Sequence, residues 1–336
     1  MIEGREQDSQ QKKWLVTGAA GFIGFHLVDY LLKSGQVVFG VDNFITGKRE
    51  RLDALAKQNT PDALKNFEFV EGDLQNIELC RRLCKGAAIV LHHAAIGSVP
   101  ESIANPLATH ANNVNTFVNM IVAAKEAGVE RFVYASSSSV YGDDPHLPKT
   151  EDKVGKPLSP YAATKQMNEL YAQTFQKNYE VESIGLRYFN VFGPWQDPCG
   201  PYAAVIPLWI RAFLQNEPVH IFGDGLQSRD FCHVSNVVEA NILAARAPRS
   251  ATGRVYNIGC GQATSLVELY RILRDEVLAI EPKARVHEPV HLANRVGDIV
   301  HSVADIELAK RELGFEPSVH LREGLRQTLA WYVRYC

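Results

Sequence analysis

The chain has 336 residues, of which 46% are hydrophobic and 22% charged, with a formal net charge of -3 at pH 7. That length favours two lobes over a single core, and the composition is that of a soluble globular protein. The charge balance excludes the basic surplus that nucleic acid or an anionic membrane demands, and no apolar run reaches bilayer-spanning length.

The N-terminal Met1–Lys13 is polar and lacks the hydrophobic centre of a signal peptide. Ile2-Glu3-Gly4-Arg5 spells a protease-recognition tetrapeptide, so Met1–Arg5 are set aside from the fold. The six cysteines (Cys80, Cys84, Cys199, Cys232, Cys260 and Cys336) show no framework spacing. Cys80 and Cys84 lie one helical turn apart. No second Cys or His pair accompanies them, so half-buried helix cysteines are expected rather than a metal site. A cytoplasmic location is expected.

The chain is organised around Trp14–Gly24. An apolar run ends at Thr17, glycines follow at Gly18, Gly21 and Gly24, and Ile23, Leu27 and Leu31 then mark one face of a helix. A strand, a tight turn and a helix N-terminus bring backbone amides close to a diphosphate. A Cβ at Gly18 or Gly21 would hold the phosphates away, and Gly24 lets helix and strand pack closely. The spacing is G-x-x-G-x-x-G rather than the commoner G-x-G-x-x-G. A second apolar run, Gln36–Val41, leads into Asp42-Asn43, about 20 residues on, where an acid for ribose hydroxyls belongs. Dinucleotide binding is expected.

Strand-like runs continue at Phe67–Val70, Ala88–His92, Arg131–Ala135 and Val181–Leu186, with helical stretches between them. Several of these close on glycine, as at Ser34-Gly35 and Ala127-Gly128. The alternation predicts an α/β fold: a Rossmann-type, doubly wound parallel sheet with ligands beyond the C-terminal ends of its strands. After the third run, Asp73 is either an acceptor for an adenine amine or a helix N-cap. After the fourth come His92-His93-Ala94-Ala95. Neighbouring strand residues face opposite ways, so the histidines should not share a metal, and the alanines leave room for a flat cofactor. The fifth run enters Ser136-Ser137-Ser138-Ser139-Val140-Tyr141-Gly142, either part of a site or a serine-rich loop.

Ser159 reads as an N-cap and Pro160 as a first helical residue, which sets Tyr161 and Lys165 on one face at i and i+4. A lysine one turn from a phenol would lower its pKa for general-base work. The alternative is a surface aromatic with a snorkelling lysine, disfavoured by the glycine turn and serines upstream.

Past Leu186 the alternation loosens and Pro and Gly become frequent, which marks a smaller α/β lobe over 187–336. It carries Asn190, Gln196, Arg229 and Arg295. Two arginines suit a diphosphate gripped in fork geometry, or they pair as surface ions. The first lobe is expected over 12–186, with 230–250 and its helix Ser235–Ala247 returning to it. Leu321–Tyr335 reads as an amphipathic closing helix.

With the glycine turn, the serine cluster and Tyr161-x-x-x-Lys165 in place, the chain resembles the extended short-chain dehydrogenase/reductase family. Within it, the chain is most similar to bacterial UDP-N-acetylhexosamine 4-epimerases. Further matches are Ile96-Gly97-Ser98-Val99-Pro100, Arg187–Gly193, Tyr202–Pro207 and Arg229-Asp230-Phe231. The resemblance implies a bound NAD held by Gly18, Gly21, Phe22, Ile23, Gly24, Asp42, Asn43, Asp73, Leu74, Tyr161 and Lys165. It implies that Tyr161 takes the proton of the sugar 4-hydroxyl while C4 gives hydride to the nicotinamide, and that the 4-keto sugar then turns over and takes it back. Lys165 would bind the nicotinamide ribose and keep Tyr161 ionised, with Ser137 as the catalytic serine. Ser98, Ser138, Ser139, Asn190, Gln196, Ala204, Val205, Arg229, Arg295 and Asp298 would hold the UDP-sugar. Ser302 stands where enzymes limited to glucose and galactose carry a tyrosine, so an acetamido group should fit. A homodimer on Asn113–Ala127 and Tyr161–Lys177 is also implied.

The chain departs from the pattern at Thr116, where glycine is usual, and in its four consecutive serines, which resemble the UDP-glucuronate branch. Asn190 argues against that branch. A nucleotide-sugar dehydratase or decarboxylase would need an Asp-Glu pair where Ser138-Ser139 stand, and a non-catalytic NAD sensor would not need Tyr161 and Lys165.

Overall fold

The computed structural model describes residues 11–199, 203–282, 284–293 and 300–335. Seven parallel strands form the central sheet: β1 (Lys13–Thr17), β2 (Val37–Asp42), β3 (Phe67–Glu71), β4 (Ile89–His92), β5 (Arg131–Ser137), β6 (Ser183–Tyr188) and β7 (Arg254–Ile258). Their order is β3-β2-β1-β4-β5-β6-β7, every neighbouring pair parallel. The order reverses between β1 and β4, which opens a crevice beyond their C-terminal ends.

Central strands read as continuous apolar runs because both of their faces are covered. Trp14 and Val16 pack on one side of the sheet with α1 (Phe22–Lys33), while Leu15 packs on the other. Next come α2 (Arg49–Gln58), α3 (Ile77–Cys84), α4 (Val99–Ala104), α5 (Pro106–His110), α6 (Thr116–Ala127) and α7 (Pro160–Tyr179). Cys80 and Cys84 are fully buried against Leu15 and Val90 rather than half-buried, and burial pushes both thiols up to about 12. They are core side chains.

A separate core gathers α8 (Val205–Leu214), α10 (Leu266–Ile280) and the closing helix, through Ile206, Trp209, Leu269, Leu273 and Leu329. Helix α9 (Val234–Arg246) packs instead against α1 and strands β5 and β6. The seventh strand lies beyond the 230–250 excursion, inside the stretch assigned to the second lobe. Arg254–Ile258 pairs with Ile184–Tyr188 through backbone bonds, a long-range partnership that no local pattern announces. The helix Glu307–Leu313 also packs on the sheet-side core, through Ala309 and Leu313. The closing helix, Leu321–Tyr335, has the bounds read from its periodicity.

Candidate active site

Gly18 adopts φ +69°, and a Cβ there would sit 2.9 Å from the Ala94 nitrogen, so the glycine turn nests directly against the loop after β4. A Cβ at Gly21 or Gly24 would run into the Gly18 carbonyl oxygen. These glycines thus let the chain approach itself as well as a ligand. Gly21 stands at the N-cap of α1, and no side chain caps that helix, so its first-turn amides suit a diphosphate.

Asp42 Oδ2 accepts from the Ala20 amide at 3.0 Å and Oδ1 from Phe44 at 2.8 Å, which leaves each oxygen a lone pair for a ribose hydroxyl. Burial raises its pKa, opposed by those amides and by Arg51. Asp73 is not a helix N-cap: Asn76 caps α3, and Asp73 accepts from Gln75 in a turn on the cleft wall. His92 and His93 part as expected for adjacent strand residues. His92 Nδ1 meets Thr17 Oγ1 and His93 Nε2 meets the Tyr188 hydroxyl, both at 2.9 Å.

One cleft joins these elements. Its wall runs from Gly18, Gly21–Gly24, Asp42, Asn43, Asp73 and Leu74 past Ala94 and Ala95 to Ser136, Tyr161, Lys165 and Tyr188. It encloses about 270 Å³, just under the ~300–1,000 Å³ common for cofactor clefts, and opens to solvent along its mouth. Asn112 and Thr116 line it as well. Thr116 sits just after a π-helical turn, Ala111–Asn115, and its hydroxyl donates to the Asn112 carbonyl. Asn113 from that turn pins both backbone groups of Ile96. The departure at Thr116 therefore coincides with a helix irregularity of the sort found at functional sites.

Ser159 caps α7 by accepting from Ala162, with Pro160 in the first turn. Tyr161 and Lys165 then face the cleft together, and the Tyr161 hydroxyl hydrogen-bonds Ser137. Lys165 Nζ donates to the Ala135 carbonyl at 2.8 Å and lies 5.9 Å from the Tyr161 ring centre. Here the structure corrects the expected lysine effect. Burial raises the Tyr161 pKa, and the Ser137 hydrogen bond opposes the rise. Burial lowers Lys165 to about 8, against the pull of Glu169.

The serines divide. Ser136 and Ser137 end β5, while Ser138 and Ser139 enter a 3-10 turn in which Ser137 Oγ accepts from the Ser139 amide. Glu169, four residues past Lys165 on the same helix face, was not singled out from the sequence. It accepts from Ser136 and from Nε and Nη2 of Arg187. The extension of the i, i+4 series to i+8 was its only local signal.

None of the described residues expected to hold the substrate lines the cleft wall. Asn190 donates to the Asp230 carbonyl, Arg229 to the Ser228 and Val300 carbonyls, and the Ser302 amide to the Ser228 carbonyl. Arg229 is thus tied to backbone carbonyls. Gln196 Nε2 donates to the Val191 carbonyl, and its buried Oε1 has no partner among the described residues. Ala204 and Val205 begin α8, and Ser98 caps α4 by accepting from Glu101. Arg295, Asp298 and Tyr202 lie outside the described residues.

Residues 14–259 match the family model described as the NAD dependent epimerase/dehydratase family. The chain belongs to this family. NAD is the family's cofactor, and the uncapped glycine turn with Asp42 beside it fits that group. The chain is 36% identical over 320 residues to a UDP-glucose 4-epimerase of Mycolicibacterium smegmatis, covering 95% of this chain and 97% of that one. It is 35% identical over 328 residues to a UDP-glucuronate 4-epimerase of Thermodesulfobacterium geofontis, covering 95% of each. Among solved structures it is similar to the UDP-N-acetylglucosamine 4-epimerase of Methanobrevibacter ruminantium M1 in complex with UDP-N-acetylmuramic acid. That similarity has a TM-score of 0.88 and 37% identity, covering 97% of this chain and 100% of that chain.

Proposed function

We propose that this chain inverts C4 of UDP-N-acetylhexosamines, interconverting UDP-GlcNAc and UDP-GalNAc through a 4-keto sugar. The reading is carried by the Tyr161–Ser137 hydroxyl pair, with Lys165 one turn below, in the cleft that begins at the glycine turn. NAD bound along that cleft supplies the two-electron acceptor and donor for C4. The chain's own residues handle protons and charge. Tyr161 takes the 4-hydroxyl proton as general base and returns it when the ketone is reduced. Ser137 hydrogen-bonds the same oxygen. Lys165, kept charged by Glu169 against its own burial, offsets the phenolate. Burial holds the proton on Tyr161, so the phenolate needs a nearby positive charge to form near neutral pH. Ser138 and Ser139 bring no carboxylate, so elimination of water has no acid there.

The small side chain at Ser302 favours an acetamido sugar. A second reading, a UDP-hexuronate 4-epimerase, draws on the four-serine run and on the glucuronate relative. Equilibrium assays with UDP-GalNAc, UDP-Gal, UDP-GlcA and UDP-GalNAcA in separate reactions decide between them. Fast turnover of UDP-GalNAc over UDP-Gal is expected. Turnover of uronates alone would replace the first reading with the second.

The homodimer we propose uses α7, with α4 and α5 beside it. Ile103, Leu107 and Leu170 are 63, 84 and 62% exposed, a cluster that a helical partner surface would cover. The Asn113–Ala127 segment contributes less, because Phe117, Met120, Ile121 and Ala124 pack into the chain's own core. No helix among the described residues is long and apolar enough to cross a membrane.

A further inference from the structure

The segment Pro194–Asp197 follows β6 and leads toward α8, and three successive carbonyls along it are held by side chains from three helices. His26 Nε2 of α1 donates to Pro194 O at 2.9 Å, Arg51 Nη2 of α2 to Trp195 O at 2.7 Å, and the Tyr332 hydroxyl of the closing helix to Gln196 O. Lys48 pairs with Asp197 at 2.8 Å, and the Trp195 ring packs on Phe25, Trp331 and Tyr335. Trp195 itself adopts φ +67°, a left-handed conformation that a bulky residue keeps only where its surroundings enforce it.

Arg51 differs from the other grips because it has a second hold. Its Nη1 donates to Ala20 O, at 2.8 Å, inside the glycine turn, and the Ala20 amide donates to Asp42 Oδ2. The side chain is 5% exposed, flanked by the charges of Asp42 and Asp197. One rigid guanidinium fork thus ties the turn that faces the dinucleotide to the strap that carries Gln196.

We propose that Arg51 is a positioning residue that couples the two ligands, so that ordering the glycine turn around the dinucleotide orders the Pro194–Asp197 strap for the nucleotide-sugar. The proposal rests on the UDP-sugar reading for its second ligand. Neither ligand need touch Arg51. Each biases one end of a shared strut, and linkage makes the effect reciprocal.

The test is titration of NAD into the full chain, alone and with saturating UDP, in wild type, Arg51→Gln, Arg51→Lys and Tyr332→Phe. In wild type UDP should tighten NAD binding at least about fivefold, the lower end of measured couplings. Arg51→Gln should bring that ratio close to one. Arg51→Lys keeps the charge, but its single ammonium lacks the fork that reaches both carbonyls, so it should lose most of the ratio while the melting temperature holds. Tyr332→Phe loosens the same strap from its other side, so it should weaken UDP binding yet keep the ratio. A ratio unchanged in a folded Arg51 variant, or lost equally in Tyr332→Phe, overturns the proposal. A wild-type chain in which NAD and UDP both bind with no mutual effect overturns it and spares the UDP reading. A wild-type chain that takes NAD but no UDP overturns both.

Discussion

Glu169 and Arg187 meet beneath the serine strand through two hydrogen bonds of 2.9 and 2.8 Å, both side chains nearly excluded from water. The same carboxylate accepts from Ser136 and raises the pKa of Lys165. The Tyr141 hydroxyl accepts from Arg187 and donates to Asn257 on β7, so the pair connects the catalytic helix to the outer strand of the sheet.

Glu169→Gln should therefore have two effects. It leaves the Arg187 guanidinium buried without its counter-charge, which should cost about 3–5 kcal/mol of stability. It also removes the charge that holds Lys165 up at about 8, so the alkaline limb of kcat/KM should move to lower pH. Thermal melts and a pH–rate profile check the two separately. An alkaline limb that stays in place would detach Lys165 ionisation from Glu169.

Tyr161→Phe removes the proposed base and keeps the ring. Turnover should fall by roughly 10²–10⁴-fold while NAD and UDP still bind. Steady-state assays beside binding titrations distinguish loss of chemistry from loss of binding. Turnover equal to wild type would remove Tyr161 from the mechanism.

Four histidines are held in neutral form, His92 and His233 buried and His26 and His93 half-buried. Burial lowers His26 and His233 to about 4, and His92 and His93 to about 3. Below pH 6.5 the unfolded chain binds protons that these folded rings refuse. Their stabilisation is thus complete above 6.5 and is lost as pH falls toward the folded values, at about 1.4 kcal/mol per pH unit for each ring. Urea midpoints should drop steeply between pH 6.5 and 4. His26→Gln, which can still donate to the Pro194 carbonyl, should flatten that slope.

Ser302→Tyr should exclude acetamido sugars while sparing UDP-galactose. Relative kcat/KM for the two substrates reports the change directly. Equal activity on both would refute a pocket limited by residue 302.

Leu107→Asp combined with Leu170→Lys places charge in the exposed apolar cluster without touching the core. Light scattering should then read monomer where wild type reads dimer. A wild-type monomer would instead leave those side chains as ordinary surface.

The glycine turn, the strand–helix alternation, the Ser159-Pro160 cap and the Tyr161/Lys165 face were all legible in the residues. Each depends on chain geometry within a few residues: backbone freedom at glycine, capping at the first turn, and the 3.6-residue period. Tertiary structure decided the rest. Arg254–Ile258 joined the sheet because Ile184–Tyr188 offered a free edge, and Asn76 rather than Asp73 reached the amides that start α3. Arg51 became a strut only when Ala20 and Trp195, 31 and 144 residues away in sequence, converged on it. The ionisation of Tyr161 and Lys165 changed for the same reason. Helical spacing aligned the two side chains, but burial raised the phenol and lowered the ammonium, and the dielectric around a side chain is set by everything that packs on it.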